Sequence, residues 1–126
     1  MKKILVVDDS FAIQEIITYY FTKHTDYKVI SAEDGEIGLD QVENDPPDII
    51  ILDVILPRIN GLAFLSELRK IEGAKNIPVI MISGKMFDDA IKEEGFSLGA
   101  IDFLEKPINL SALHERINAC FAGEES

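Results

Sequence analysis

With 126 residues, 47% of them hydrophobic and 28% charged, the chain has the size and mixture of one globular domain, not of a disordered segment. A formal net charge of −11 argues against direct binding to nucleic acid or to an anionic membrane, and favours a bound cation or a basic partner. The lone cysteine, Cys120, excludes an internal disulfide and fits a reducing compartment, while no apolar run approaches the ~20 residues of a membrane span, so a cytoplasmic protein is expected.

Ile4 to Val7 reads as a first buried strand, too short for a signal-peptide core and closed by Asp8-Asp9-Ser10. Ser10 or Asp9 can cap the helix that follows, whose apolar positions Ile13, Ile16, Ile17, Tyr20 and Phe21 share one face. It ends near Lys23-His24. Val29 to Ala32 is a second strand, and Asp34-Gly35 turns into a second helix with Ile37, Leu39 and Val42 inward. Gly38 inside that helix costs up to ~1 kcal/mol relative to alanine and predicts a soft element. Ile49 to Leu52, after Pro46-Pro47, is a strand buried on both faces. Asn60-Gly61 caps a third helix carrying Leu62, Leu65, Leu68 and Ile71. Val79 to Ile82 is the fourth strand. An irregular fourth helix is expected over about Phe87 to Leu98, interrupted by Gly95. Ile101 to Leu104 is the fifth strand, and the last helix starts near Leu110 with Leu113, Ile117 and Phe121 inward. Residues 1–122 form the domain, and 123–126 a frayed acidic tail. Five apolar strands alternating with five helices predict an α/β fold: a doubly wound parallel sheet with right-handed crossovers and helices on both faces, in the flavodoxin-like strand order 2-1-3-4-5.

In such a sheet the carboxyl ends of all strands share one edge, where open α/β folds bind ligands. Asp8 and Asp9 end the first strand here, Asp53 the third, Ser83 the fourth, and Lys106 stands just beyond the fifth. Three neighbouring carboxylates repel one another and raise their pKa values unless a cation is present. Hard oxygen ligands suit Mg²⁺, which commonly shares its site with a phosphoryl group. A lysine and a hydroxyl can hold the remaining phosphoryl oxygens, and an aspartate beside Mg²⁺ is a competent nucleophile toward phosphorus.

Val6-Val7-Asp8-Asp9-Ser10, Leu52-Asp53-Val54-Ile55-Leu56-Pro57 with Gly61, Pro78 to Gly84, and Gly99 to Pro107 together resemble the response-regulator receiver domain of two-component signalling, over essentially the whole chain. The resemblance implies that Asp53 is the phosphoacceptor, taking its phosphoryl group from a histidine kinase or a histidine phosphotransfer protein. It implies that Asp9 binds Mg²⁺ directly (Mn²⁺ could substitute), that Asp8 acts beside it, and that the Ile55 carbonyl and Asp53 complete the protein ligands. Ser83, the Gly84 N–H and Lys106 would bind the phosphoryl group; Ser83 and Phe103 would form the switch; and the Lys106–Pro107 bond would be cis. Such a protein is a signalling switch. It is not an enzyme beyond its own phosphorylation and dephosphorylation, and it changes its binding to a downstream protein target or a detached effector domain through the face of the fourth helix, fifth strand and fifth helix. It is expected as a monomer or a weak phosphorylation-dependent homodimer, with Arg116 and Asp102 available for pairing through that face. Ile55 and Lys85 occupy positions expected to tune the phosphate lifetime, and Gly84, where alanine is frequent, implies a looser loop.

A small phosphatase with an aspartate nucleophile is disfavoured because Ile55 stands where its second aspartate belongs. A nucleotide- or flavin-binding module is disfavoured because Asp8-Asp9-Ser10 replaces a glycine-rich loop. A degenerate receiver that only binds partners is disfavoured by five intact site positions. His24 and His114 read as surface residues, and Tyr19, Tyr20 and Tyr27 have no assigned role.

Overall fold

The computed structural model describes residues 2–84 and 88–122. Its elements are β1 (Lys3–Val7), α1 (Phe11–His24), β2 (Lys28–Ala32), α2 (Gly35–Asn44), β3 (Ile49–Asp53), α3 (Gly61–Leu68), β4 (Val79–Ser83), α4 (Asp89–Ser97), β5 (Ala100–Glu105) and α5 (Leu110–Ala122). The strands are all parallel in the order β2-β1-β3-β4-β5. That is the flavodoxin-like order expected. No helix among the described residues is long and apolar enough to cross a membrane.

Alternation along each strand sends side chains to two separate cores. Leu5, Val7, Ile50, Leu52, Val79 and Met81 pack with Val42, Phe64, Leu65 and Leu68 beneath α2 and α3. Ile4, Val6, Ile49, Ile51, Ile80 and Ile82 pack on the other face with Ile17, Phe21, Leu113, Ile117 and Phe121 of α1 and α5. The continuous aliphatic run of β3 thus serves both layers, and every residue from Ile49 to Asp53 is buried.

Several side chains and element ends differ from expectation, each for a local reason. Ile16 is largely exposed on α1, and Gln14 is buried there with Ile17 and Phe21. Gly38 has a packing role in α2 that helix propensity does not show. A Cβ there would stand 2.9 Å from Phe64 Cε2 and 3.1 Å from a Val7 methyl, so glycine lets α2 press onto β1 and α3. Gly95 lies within an unbroken α4 and faces Phe103. Ile71 falls beyond α3, which ends at Leu68 where the Arg69 guanidinium donates to five backbone carbonyls, those of Ala74, Lys75, Ile77, Leu98 and Gly99. Ile101 is pushed out to solvent because the β4–β5 register slips between Val79 and Ile80. His114 is half-buried: its Nδ1 lies 3.0 Å from the Tyr20 hydroxyl, with Phe21 and Tyr27 around the ring, whereas His24 is exposed as expected. Arg116 and Asp102 are bonded to each other within the chain, so neither is a vacant charge for a second copy. Phe87, Lys85 and the expected tail at 123–126 lie outside the described residues.

Candidate functional site

β1 ends at Val7 between β2 and β3, so the chain leaving it at Asp8 stands at the middle of the carboxyl edge. Three local devices hold it there. The Asp8 N–H donates to Ala32 O at 3.1 Å, the Ser10 N–H donates to Asp8 Oδ1 at 2.8 Å, and the Ser10 hydroxyl caps α1 by accepting from Ile13 N at 3.3 Å. Gln14 adds a fourth, because its Nε2 amide lies 3.0 Å from Val6 O, 3.0 Å from Asp8 O and 3.1 Å from Ala32 O. Asp8 is fully buried and Asp9 exposed.

Asp53 is the last residue of β3 and is only 4% exposed. Its two oxygens are engaged differently. Oδ1 accepts from the Ile55 N–H at 3.1 Å, and Oδ2 accepts from Lys106 Nζ at 3.0 Å. The same ammonium lies 2.9 Å from Asp8 Oδ2 and so bridges the two buried carboxylates. Lys106 is positioned by its own backbone, whose N–H donates to Ser83 O at 2.7 Å and ties the end of β5 to the end of β4. The Lys106–Pro107 peptide is cis. Carboxylate oxygens of Asp8, Asp9 and Asp53 lie within 4.8 Å of one another.

The electrostatics follow from this crowding. Burial pushes the Asp53 carboxyl above its ordinary value, and the bonds from the Ile55 N–H and the Lys106 ammonium only partly oppose it, with Asp8 adding a smaller upward push. Burial alone would lower the Lys106 ammonium, but its bonds to Asp8 and Asp53 outweigh that and raise it. The repulsion expected from sequence is present at Asp53, although desolvation leads it.

Ser83 is buried at the end of β4 and Gly84 is exposed beside it. A Cβ at Gly84 would meet only Lys106 Cδ at 3.9 Å, so alanine would fit there too. The Ile55 side chain is 55% exposed next to the acids. The Phe103 ring lies edge-on to Phe96 at 4.9 Å and packs against α4. Gln14 is the residue that sequence reasoning missed. The signal was available, since positions 14, 17 and 21 recur at helical spacing and a polar residue on that stripe must be serving something buried.

A cleft of about 370 Å³ opens at Asp8 and Asp9 and continues over Ser31, Glu33 and Ile37. A larger groove of about 840 Å³ follows α1 past Ile16 and Tyr19 and shares Phe11 and Gln14 with it. The chemistry lies with the carboxylates, because the larger groove contains none of Asp8, Asp9 and Asp53.

The family model of the response regulator receiver domain matches residues 4–118. The chain belongs to this family. Protein PilH of Pseudomonas aeruginosa is 34% identical over 123 residues, covering 98% of this chain and 100% of PilH. The alkaline phosphatase synthesis transcriptional regulatory protein PhoP of Bacillus subtilis is 36% identical over 126 residues, covering 98% of this chain and 50% of PhoP. The chain thus spans about half the length of that relative and of YcbL from the same organism. Among solved structures, the chemotaxis protein CheY4 of Vibrio cholerae superposes with a TM-score of 0.87 at 30% identity, covering 94% of this chain and 98% of that one. The receiver domain of Francisella response regulator 1452 gives 0.87 at 30% identity, covering 98% and 99%. The receiver domain is a component of two-component signalling, and its sheet edge here carries the acid cluster and the lysine.

Proposed function

We propose that this receiver domain is a phosphorylatable switch that accepts a phosphoryl group on Asp53 from a phosphohistidine of a kinase or phosphotransfer protein. The observation that carries the reading is Lys106 Nζ standing within 3.0 Å of both Asp53 and Asp8, at the edge where three carboxylates meet. One ammonium cannot neutralise three acids, two of them buried, so the donor set favours a further cation. Asp8, Asp9 and Asp53 each offer a carboxylate oxygen, all within 4.8 Å of one another, a hard-oxygen donor set that suits Mg²⁺. Those three acids and the Ile55 carbonyl would hold it, and when bound it would neutralise charge on the transferring group.

The chain's own residues do the rest. An Asp53 carboxylate oxygen attacks phosphorus, the bond from phosphorus to the donor's imidazole nitrogen breaks, and the electron pair leaves with the imidazole, which takes up a proton. Lys106 then has a phosphoryl oxygen to pair with in place of Asp53 Oδ2, and Ser83 with the Gly84 N–H takes another. The transfer needs position more than added chemistry, which the buried, hydrogen-bonded Asp53 supplies. Exposed Phe11 and Ile55 flank the site and offer apolar contact to the donor. Signal output would follow from Ser83 and Phe103 rebalancing two arrangements of the α4–β5–α5 face, toward a protein target or an effector domain. Turnover would be limited to the chain's own phosphorylation and dephosphorylation, in the cytoplasm.

Incubation with acetyl phosphate and Mg²⁺, followed by intact mass, tests this. The expected result is one added phosphoryl group, lost with Asp53→Asn and lost when Mg²⁺ is chelated. A phosphoryl group that survives Asp53→Asn refutes the assignment.

A further inference from the structure

We propose that the N-terminus of α2 positions the loop behind Asp53, through an Ile59 side chain seated on Gly35 and an Arg58 clasp to Asp34 and Glu36, and so sets the affinity of the acid cluster for its divalent cation. The inference rests on the switch reading above and adds residues that do not themselves touch the cation.

The loop from Val54 to Asn60 carries Ile55, whose N–H fixes Asp53 Oδ1. Anything that moves the loop therefore moves the carboxylate. Within it, the Ile59 N–H donates to Pro57 O at 2.8 Å and the Gly61 N–H donates to Val54 O at 2.7 Å, which makes a tight turn with few ways to relax. Arg58, between those bonds, has φ +70, a left-handed conformation that L side chains rarely adopt. Glycine or asparagine would be the undemanding choice there, so an arginine calls for a side-chain explanation.

Its guanidinium supplies one. Nε lies 3.9 Å from Asp34 Oδ2 and Nη1 lies 3.4 Å from Glu36 Oε2. Asp34 is buried, and its other oxygen already caps α2 by accepting from Ile37 N at 2.9 Å. Asp34 is thus a fixed anchor, one oxygen holding the helix and the other facing the loop.

The packing beneath the clasp is tighter still. A Cβ on Gly35 would lie 2.1 Å from Ile59 Cγ2 and 3.2 Å from Ile59 O. The methyl is on a β-branched carbon with little rotamer freedom, and the carbonyl belongs to the loop backbone, so neither can step aside unless the loop moves. Ile59 fills the space a side chain at position 35 would need. The loop that presents Ile55 is thereby keyed to α2 by shape and held to it by charge.

Two-dimensional NMR of the full chain titrated with Mg²⁺ tests the proposal, with the Ile55 amide as the reporter and thermal unfolding run on each variant. Gly35→Ala should weaken Mg²⁺ binding by about tenfold, the scale on which residues behind a ligand set act. Arg58→Gln should weaken it less, and Arg58→Lys should restore part of that loss. A purely structural role would lower the melting temperature and leave the Mg²⁺ dissociation constant unchanged. Wild-type affinity in folded Gly35→Ala, or in Arg58→Gln should Gly35→Ala fail to fold, overturns the inference. A wild-type protein whose Ile55 amide does not respond to Mg²⁺ overturns the metal site itself, a distinct outcome.

Discussion

Replacing Gln14 with leucine removes a side-chain amide that binds β1, β2 and the start of the acidic loop together. Its Nε2 has two hydrogens for three carbonyls, at 3.0 Å from Val6 O, 3.0 Å from Asp8 O and 3.1 Å from Ala32 O, so it supplies at most two full bonds. Each is worth about 1 kcal/mol net, and a buried carbonyl left unmet costs about 1–3 kcal/mol. Ala32 O keeps the Asp8 N–H at 3.1 Å, which softens its loss. Leucine returns part of the deficit by burying apolar surface at a position only 8% exposed. The balance is a destabilisation of about 1.5 kcal/mol, or roughly 5 °C in Tm for a domain of this length. Glutamate, nearly the same shape, should cost more than leucine at neutral pH, since it turns a donor into a charge facing three acceptors. Urea unfolding with an unchanged m-value is the assay. Gln14→Leu at wild-type stability, or Gln14→Glu more stable than Gln14→Leu, refutes the argument.

Asp53→Asn should stabilise the protein at neutral pH when divalent cations are chelated. The folded pKa is raised above the unfolded one, so ionisation costs stability as pH rises through and above the ordinary carboxylate range and costs nothing below it. The gain should therefore vanish in acid, and a gain independent of pH in thermal unfolding would contradict it. With Mg²⁺ at ten times its dissociation constant the wild type alone should gain about 1.4 kcal/mol. Gly95→Ala places a Cβ 2.6 Å from Phe103 Cζ and 3.3 Å from Met81 Sδ. Overpacking of about 1–3 kcal/mol should exceed the helix gain of up to about 1 kcal/mol. The same change in a Phe103→Ala background should become stabilising, and a double-mutant cycle with no coupling would sink that account. Ile55→Asn should shorten the lifetime of phosphorylated protein by a factor on the order of ten, about 1.4 kcal/mol of barrier, by removing an exposed apolar side chain beside Asp53 and offering attacking water a polar contact. An unchanged decay rate refutes the idea that Ile55 hinders the attacking water.

The fold was legible because its signal is local and repeated. β3 reads as Ile49-Ile50-Ile51-Leu52 with no polar interruption, a short β-branched run that fits a strand covered on both faces, and proline or glycine punctuates the elements around it. The gathering of Asp8, Asp9, Asp53 and Lys106 was legible for a related reason, since a parallel sheet sends every strand end to one edge. What was not legible depends on contacts between segments far apart in the chain. Gly38 and Gly95 look like helix weaknesses in a propensity scale, and only Phe64, Val7 and Phe103 standing opposite them reveal close packing. His114 looks like a surface residue until Tyr20, ninety-four positions away, meets it. Arg69 carries no motif at all, yet it joins the end of α3 to the loop at Ala74–Ile77 and to the Leu98–Gly99 turn.

The charges at the sheet edge explain why one lysine belongs there and a second would not. Three carboxylates and one ammonium leave a formal charge of −2, the amount that one divalent cation neutralises. With Lys106 pairing both Asp8 and Asp53, neither buried acid is left without a cationic partner. A second ammonium would halve that charge and weaken the attraction for a cation, and none at all would leave Asp53 raised still further and a poorer nucleophile at neutral pH. The single lysine thus holds the site short of neutrality. In the proposed switch the remaining negative charge would draw the cation, and the same ammonium would only have to leave Asp53 Oδ2 to meet a phosphoryl oxygen on that carboxylate.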